Sequence, residues 1–280
     1  MNEPDPALIL KYDALRDYIG SLGSVAVAFS GGVDSTLLLR VSHDVLGDKA
    51  FAVTAVSGSF PHREMEEAGE FCRANGIEQI VCRIDEMSIP GFTDNRPDRC
   101  YLCKHRIFET LIDAASKSGA SAVAEGSNTD DDGDYRPGML AIRELGVLSP
   151  LHKAGLSKAD IRELSHMLGL PTWNKPSAAC LASRFVYGEK ITTEKLKMVD
   201  KAETLLQDLG FYQIRVRIHG SMARIEVSPE DFKRFCDDEL RSLICSRLRN
   251  FGFSYVSLDL QGYRTGSMNE ILSTDEMKLK

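Results

Sequence analysis

Ser30-Gly31-Gly32-Val33-Asp34-Ser35 constrains this chain more than any other segment. The apolar run at 25–29, VAVAF, precedes it and reads as a buried strand, because a short unbroken apolar run ending at a turn suits a strand covered on both faces. Residues 36–41, TLLLRV, follow and read as the first turns of a helix. Two glycines permit a tight turn that bares main-chain N–H groups, while Ser30, Ser35 and Thr36 add hydroxyls. A helix N-terminus carries N–H groups without intrahelical acceptors and a partial positive charge, so such a joint cradles anions. The loop holds no lysine, which separates it from the GxxxxGK[ST] phosphate loop.

The alternation continues downstream. Residues 51–56 and 79–84 read as strands, 63–75 as a helix stopped by Gly76, 107–117 as a helix, and 122–125 as a strand ending at Gly126. Repeated strand–helix units predict an α/β fold with a parallel, Rossmann-like sheet and right-handed crossovers. Ligands in such sheets collect at the carboxyl ends of the strands. That edge is expected to gather the Ser30–Ser35 loop with residues 54–57 and 126–128, so that Thr54, Val56 and Gly126 border a bound nucleoside. Near Trp173 the pattern changes. Residues 192–209 are amphipathic and helical, 211–219 and 222–228 alternate like a hairpin around Gly220-Ser221, 229–249 are helical, and 253–260 form a last strand. The expectation is a nucleotide-binding domain over 1–172 and a small α+β domain over 173–280, with a mobile tail from Asn269.

Composition narrows the setting. At 280 residues the chain can bury a sizeable core, and no apolar stretch is long enough to span a membrane. A net charge of −7 argues against broad nucleic-acid affinity through charge alone. Seven unevenly spaced cysteines do not make a secreted disulfide framework, and the polar, acidic start at 1–5 is unlike a signal peptide, so the cytoplasm is expected.

Three of those cysteines attract a chemical reading. Cys100 and Cys103 form the chain's CxxC pair, and Cys180 lies among small residues with Arg184 nearby. Three thiolates suit an iron–sulfur cluster with one open position, or a zinc site completed by His105; three unconnected buried thiols are the plainer alternative. Cys72, Cys82, Cys236 and Cys245 fall in regular elements and read as core residues. The acidic run 130–136 does not match a calcium-binding loop and reads as a solvated loop over the nucleotide, with Arg136 facing phosphate or substrate.

The hairpin carries its own inference. A two-residue turn at Gly220-Ser221 pairs His219 with Met222, Arg217 with Arg224 and Arg215 with Glu226. Residues two apart share a face, so Arg215, Arg217, Arg224 and Glu226 project to one side. Directly opposed like charges disfavour pairing, so Arg217 facing Arg224 makes sense beside an anion. A solvated face with a weak Arg215–Glu226 pair is the alternative.

SGGVDS resembles the PP-loop of enzymes that split ATP into AMP and pyrophosphate, and alone it fits NAD and GMP synthetases and tRNA thiolases as well. Taken with RCYLCK, EGSNTDDDGDYRPG, SPLHKAGLSKADIREL and KPSAACLASRFVYGEKIT, it resembles the LarE family, the PP-loop sulfur transferases that make the nickel-pincer nucleotide of lactate racemase. The resemblance implies an ATP- and Mg²⁺-dependent enzyme that adenylates a carboxylate of pyridinium-3,5-biscarboxylic acid mononucleotide and exchanges AMP for sulfur. It implies nucleotide contacts from Ser30, Gly31, Gly32, Asp34 and Ser35, with Asp34 near Mg²⁺. It implies substrate contacts from Arg184, Glu203, Arg215, Arg217, Arg224 and Glu226. Family members with one cysteine at position 180 sacrifice its sulfur and leave dehydroalanine; those with three hold a [4Fe-4S] cluster, and Cys100, Cys103 and Cys180 match the second kind. A sulfide donor, the other nickel-pincer biosynthesis enzymes as partners, and a homo-hexamer complete what the resemblance implies. A tRNA thiolase is the rival with the same ATP chemistry, but no basic RNA-binding appendage is evident. An ammonia-dependent synthetase would leave the three cysteines without a role.

Overall fold

The computed structural model describes residues 5–132, 137–176, 179–264 and 267. In chain order its elements are α1 (Pro6–Ser21), β1 (Val25–Ala28), α2 (Val33–Leu46), β2 (Ala50–Val56), α3 (His62–Ala74), β3 (Gln79–Arg83), α4 (Arg99–Lys117), β4 (Val123–Ala124), α5 (Pro137–Glu144), α6 (Pro150–Lys153) and α7 (Lys158–Met167). After these come α8 (Thr193–Asp208), β5 (Ile214–His219), β6 (Met222–Val227), α9 (Asp238–Asn250) and β7 (Tyr255–Leu258). They fall into two compact units, one of Met1–Ser57, Glu64–Ile84 and Cys103–Ala178, the other of Gly58–Arg63, Asp85–Leu102 and Ala179–Lys280.

The first unit is built on a parallel sheet in the order β3-β2-β1-β4, with Val25 opposite Ala50 and Ala26 opposite Val123. This is the α/β architecture expected from the alternation. Strand β1 lies inside the sheet, which explains its unbroken apolar sequence. Helix α2 buries Leu37, Leu38, Leu39 and Val41 completely. A run of adjacent apolar residues on a helix means that it is covered on more than one side. Leu15 and Ile19 of α1, and Leu151, Leu156, Ile161 and Leu164 around α6 and α7, belong to the same core.

In the second unit the sheet order is β5-β6-β7. The hairpin register pairs His219 with Met222, Arg217 with Arg224 and Arg215 with Glu226, as the two-residue turn predicts. Strand β7 then joins β6 in parallel. Helix α8, capped by Thr192, buries Leu196, Val199, Ala202 and Leu206.

Two helices differ from expectation. Helix α4 begins at Arg99, not at 107, because the Asp98 carbonyl accepts the N–H groups of Tyr101 (2.9 Å) and Leu102 (3.2 Å) and starts the turn. Cys103, Ile107, Leu111 and Ala115 are buried at four-residue spacing, so the CxxC pair sits on the helix itself. The single helix expected over 229–249 is two pieces, a 3₁₀ helix Pro229–Cys236 and then α9. Asp237 separates them by capping α9, its carboxylate accepting the Leu240 N–H at 2.7 Å. Cys236 is consequently exposed and is not a core residue. Cys72 and Cys82 are buried, as read, and burial pushes the Cys72 thiol up to about 11. Arg136 and the tail from Asn269 lie outside the described residues. No described helix is long and apolar enough to cross a membrane.

The α2 core sets a stability expectation. Leu38→Ala should destabilise the protein by about 2–5 kcal/mol, the usual cost of a leucine-sized cavity, read as a lower urea midpoint for loss of structure in the first unit.

Candidate active site

The loop between β1 and α2 holds its shape by its own bonds. Ser30 and Ser35 hydroxyls lie 3.2 Å apart, and Ser35 Oγ donates to the Gly32 carbonyl at 3.2 Å. Gly31 has φ +74°, and a Cβ there would meet Ala68 Cβ at 3.1 Å and the Glu64 carbonyl at 3.2 Å. Only glycine suits both conditions. Gly32 precedes the first turn of α2 and caps it in extended conformation. At the end of β4, Gly126 approaches the loop so closely that a Cβ would stand 3.0 Å from Ser35 N and from Asp34 Cβ. Thr54 is buried and its hydroxyl accepts Gln79 Nε2 at 2.9 Å, while Val56 is half-buried at the end of β2.

The lysine that the loop lacks comes from elsewhere in this unit. Lys158 Nζ lies 2.5 Å from Asp34 Oδ2, and Asn128 Nδ2 donates to Asp34 Oδ1 at 3.3 Å. Lys158 opens α7 behind the N-cap Ser157, whose partner in a capping box is Asp160. A cation in a first helical turn opposes the helix dipole, so this lysine's place is set by the carboxylate it meets. Lys175 Nζ donates to the Gly31 carbonyl at 3.1 Å and pairs with Glu64 (2.5 Å) and Glu67 (2.7 Å). Neither lysine was singled out from sequence. The Ser157–Asp160 capping pattern was the signal available for Lys158.

In the second unit the charged face of the hairpin is buried, not solvated. Arg184, Glu203, Arg215, Arg217 and Glu226 are all among the buried residues, and Arg224 is half-buried. Arg184 grips Glu203 with two bonds of 2.8 Å, and Glu203 also accepts the Val216 N–H at 2.8 Å. Glu226 lies between the two opposed arginines, with Arg217 at 3.0 Å and Arg224 at 3.1 Å. The anion that their pairing calls for is thus partly the protein's own carboxylate. Arg215 donates to the Ile214 carbonyl at 2.7 Å and lies over the Tyr263 ring. Burial, and then the like charge of Arg184, push the Arg215 guanidinium below the usual arginine range. Arg217 Nε is buried with no hydrogen-bond acceptor among the described residues. Arg224 Nε also lies 3.5 Å from Asp259, and Arg264 lies 3.8 Å from the same carboxylate, so five guanidiniums meet three carboxylates on this face.

The three cysteines are partly brought together. Cys100 and Cys103 stand one turn apart on α4, with Cys103 buried and Cys100 and Cys180 half-buried. Cys180 precedes a 3₁₀ turn, Leu181–Arg184, and its carbonyl accepts Arg184 Nη1 at 3.3 Å. Among the described residues no group of three His, Cys, Asp or Glu side chains is arranged to hold a metal ion. His105 pairs with Glu109 at 3.5 Å, so the zinc alternative that used it gains no support.

No protein-family model matches this chain. It is 44% identical over 263 residues to an uncharacterized protein of Synechocystis sp., covering 94% of this chain and 98% of that protein. It is 40% identical over 269 residues to the pyridinium-3,5-bisthiocarboxylic acid mononucleotide synthase of Lactiplantibacillus plantarum, covering 94% of each. The chain belongs to the LarE family. A more distant likeness, 26% over 226 residues, joins it to a glutamine-hydrolyzing GMP synthase of Lactobacillus delbrueckii subsp. bulgaricus and covers 73% of this chain and 43% of that protein. This member of the LarE family is an ATP-dependent sulfur transferase with a PP-loop domain.

The Arg184–Glu203 pair gives a pH test. Burial alone would raise the Glu203 carboxyl, but Arg184, Arg215 and the Val216 N–H hold it below the ordinary value of 4.5. A depressed carboxyl contributes stability that is full above that value and is lost as pH falls through the folded-state pKa. Glu203→Gln should cost about 3–5 kcal/mol at neutral pH, by leaving Arg184 uncompensated. Urea midpoints measured against pH should also show a smaller acid-dependent loss below pH 4.5 in the variant than in the parent.

Proposed function

We propose that this enzyme uses MgATP to adenylate a carboxylate of pyridinium-3,5-biscarboxylic acid mononucleotide and then replaces AMP with sulfur, giving a thiocarboxylate. The observation that supports the reading is the largely buried cationic face of Arg184, Arg215, Arg217, Arg224 and Arg264, whose charge exceeds that of Glu203, Glu226 and Asp259. A mononucleotide phosphate or a ring carboxylate matches that surplus. The name of the L. plantarum relative points to the same chemistry.

In the first step a substrate carboxylate oxygen attacks the α-phosphorus and pyrophosphate leaves. The Ser30–Ser35 loop and the α2 N-terminus stabilise the departing charge with N–H groups that need no rearrangement. Asp34 is the proposed Mg²⁺ ligand, directly or through water, since Mg²⁺ is commonly held by one or two carboxylates together with phosphate oxygens. Lys158, already on Asp34, brings a second cation to the same place. In the next step a sulfur nucleophile attacks the acyl carbon, the C–O bond breaks and AMP leaves.

Cys100, Cys103 and Cys180 are the proposed sulfur-handling residues, with a [4Fe-4S] cluster as the group they hold. Three soft thiolates have the right donor chemistry, although the described side chains do not form a closed ligand set. Bound by three thiolates, such a cluster supplies one open iron position able to carry sulfide. The same reading places a hexameric enzyme in the cytoplasm, fed by a sulfide donor and serving the other enzymes of nickel-pincer synthesis.

Pyrophosphate release should appear with the pyridinium substrate and not with bulk tRNA or with ammonia plus deamido-NAD. Release only with tRNA would make the enzyme an RNA thiolase. Arg217→Ala and Arg224→Ala should each weaken substrate binding about tenfold to a hundredfold and leave ATP affinity unchanged, as expected for loss of a charged hydrogen bond. Anaerobic purification should yield iron and sulfide dependent on all three cysteines. A single turnover without iron, with Cys180 lighter by about 34 Da, would identify the cysteine itself as the sulfur source.

A further inference from the structure

Arg99, the first residue of α4, is 5% exposed and makes bonds to two separate stretches of the second unit. Its Nη2 donates to Cys100 Sγ at 3.2 Å, and its Nη1 donates to the Ala182 carbonyl at 2.9 Å and to Asn95 Oδ1. Ala182 lies in the turn that follows Cys180. Asn95 is fully buried, has a left-handed backbone (φ 52°) and donates from Nδ2 to the Val186 carbonyl at 2.6 Å. Further bonds hold the same two stretches: Gly188 N to the Asn95 carbonyl (3.0 Å) and Ile191 N to the Thr93 carbonyl (2.9 Å). Arg184, fixed by Glu203, closes the turn from its other end by donating to the Cys180 carbonyl.

Only a guanidinium satisfies this arrangement. Its planar fork sends donors from Nη1 and Nη2 in fixed directions, whereas a lysine ammonium is a point charge on a flexible stem. The acceptors are a sulfur, a main-chain carbonyl and a side-chain amide oxygen. Burial disfavours the charge of this guanidinium, and negative charge on the Cys100 or Cys180 sulfur would favour it.

We propose that Arg99 is the positioning residue that fixes the Cys100 sulfur against the turn carrying Cys180, so that two thiols distant in sequence are presented together. The proposal rests on the reading that these cysteines handle sulfur. Its geometry, however, needs neither ATP nor iron.

The test uses cluster-free full-length protein carrying Cys103→Ser, treated with a short bis-maleimide and examined by peptide mass spectrometry. Cys100 and Cys180 should be joined in the parent; failure to join them there overturns the proposal. In Arg99→Met and Arg99→Lys the joined fraction should fall several-fold in protein that is still folded, with a melting temperature lowered by the lost buried bonds and each thiol's reaction with a mono-maleimide close to the parent's. An undiminished joined fraction in folded Arg99→Lys would overturn the proposal, so the test does not depend on Arg99→Met folding. In otherwise unaltered protein, Arg99→Lys should lower turnover about tenfold or more with an unchanged KM for ATP, as a small misplacement of a reacting group does. A change confined to that KM would also overturn it. Joined thiols in a protein that binds no iron would leave Arg99's role standing and remove only the cluster.

Discussion

Buried guanidinium groups control the second unit. Arg184, at 1% exposure, is its largest fully buried charged side chain, and a charge so placed costs several kcal/mol unless paired and hydrogen-bonded. Glu203 meets that demand with both oxygens, and because Glu203 also accepts the Val216 N–H, one ion pair ties α8 to β5 and to the turn after Cys180. The turn's shape, the start of the hairpin and the place of Cys180 therefore share one electrostatic origin. Arg217 extends the same logic by donating to the Ser183 carbonyl at 2.9 Å while pairing with Glu226.

The first unit rests on shape. Gly31 turns left-handed and Gly126 approaches the α2 N-terminus without a side chain, so the loop packs tightly at the carboxyl end of β1. The cations are added from outside the loop, Lys158 on Asp34 and Lys175 on the Gly31 carbonyl. The loop's one charged residue is Asp34. Both lysines are held by carboxylates, Lys158 by Asp34 and Lys175 by Glu64 and Glu67, so they brace the loop without a side chain at its glycines.

Much of this was legible in the sequence, for local reasons. A two-residue turn determines hairpin register, so Arg217 opposite Arg224 follows from Gly220-Ser221 alone. Apolar strand runs and glycine stops place β1 to β4 in the same way. What sequence reading missed depends on partners far along the chain. The start of α4 was hidden because its first turn is polar, with Arg99 and Lys104 among the residues that flank the cysteines. Lys158 and Arg99 look like ordinary surface cations until Asp34 and the Ala182 carbonyl are seen beside them. The break at Asp237 is the exception, since Asp237-Asp238 is a local capping signal that helical periodicity obscured.

Glu226 raises the question of why the hairpin holds an anion between its two opposed arginines. Two arginines directly opposed on neighbouring strands repel, and without a carboxylate between them the hairpin would form poorly before any substrate arrived. Glu226, with no exposure, settles the pair at 3.0 and 3.1 Å and leaves Arg217 Nε without an acceptor. The carboxylate thus stabilises the empty fold without exhausting the donors. A second carboxylate, Asp259, lies 3.5 Å from Arg224 Nε and is shared with Arg264 at 3.8 Å, so the added anion comes with an added cation. Glu226 keeps the two facing strands paired, and with Asp259 and Glu203 it still leaves the guanidiniums of this face in excess.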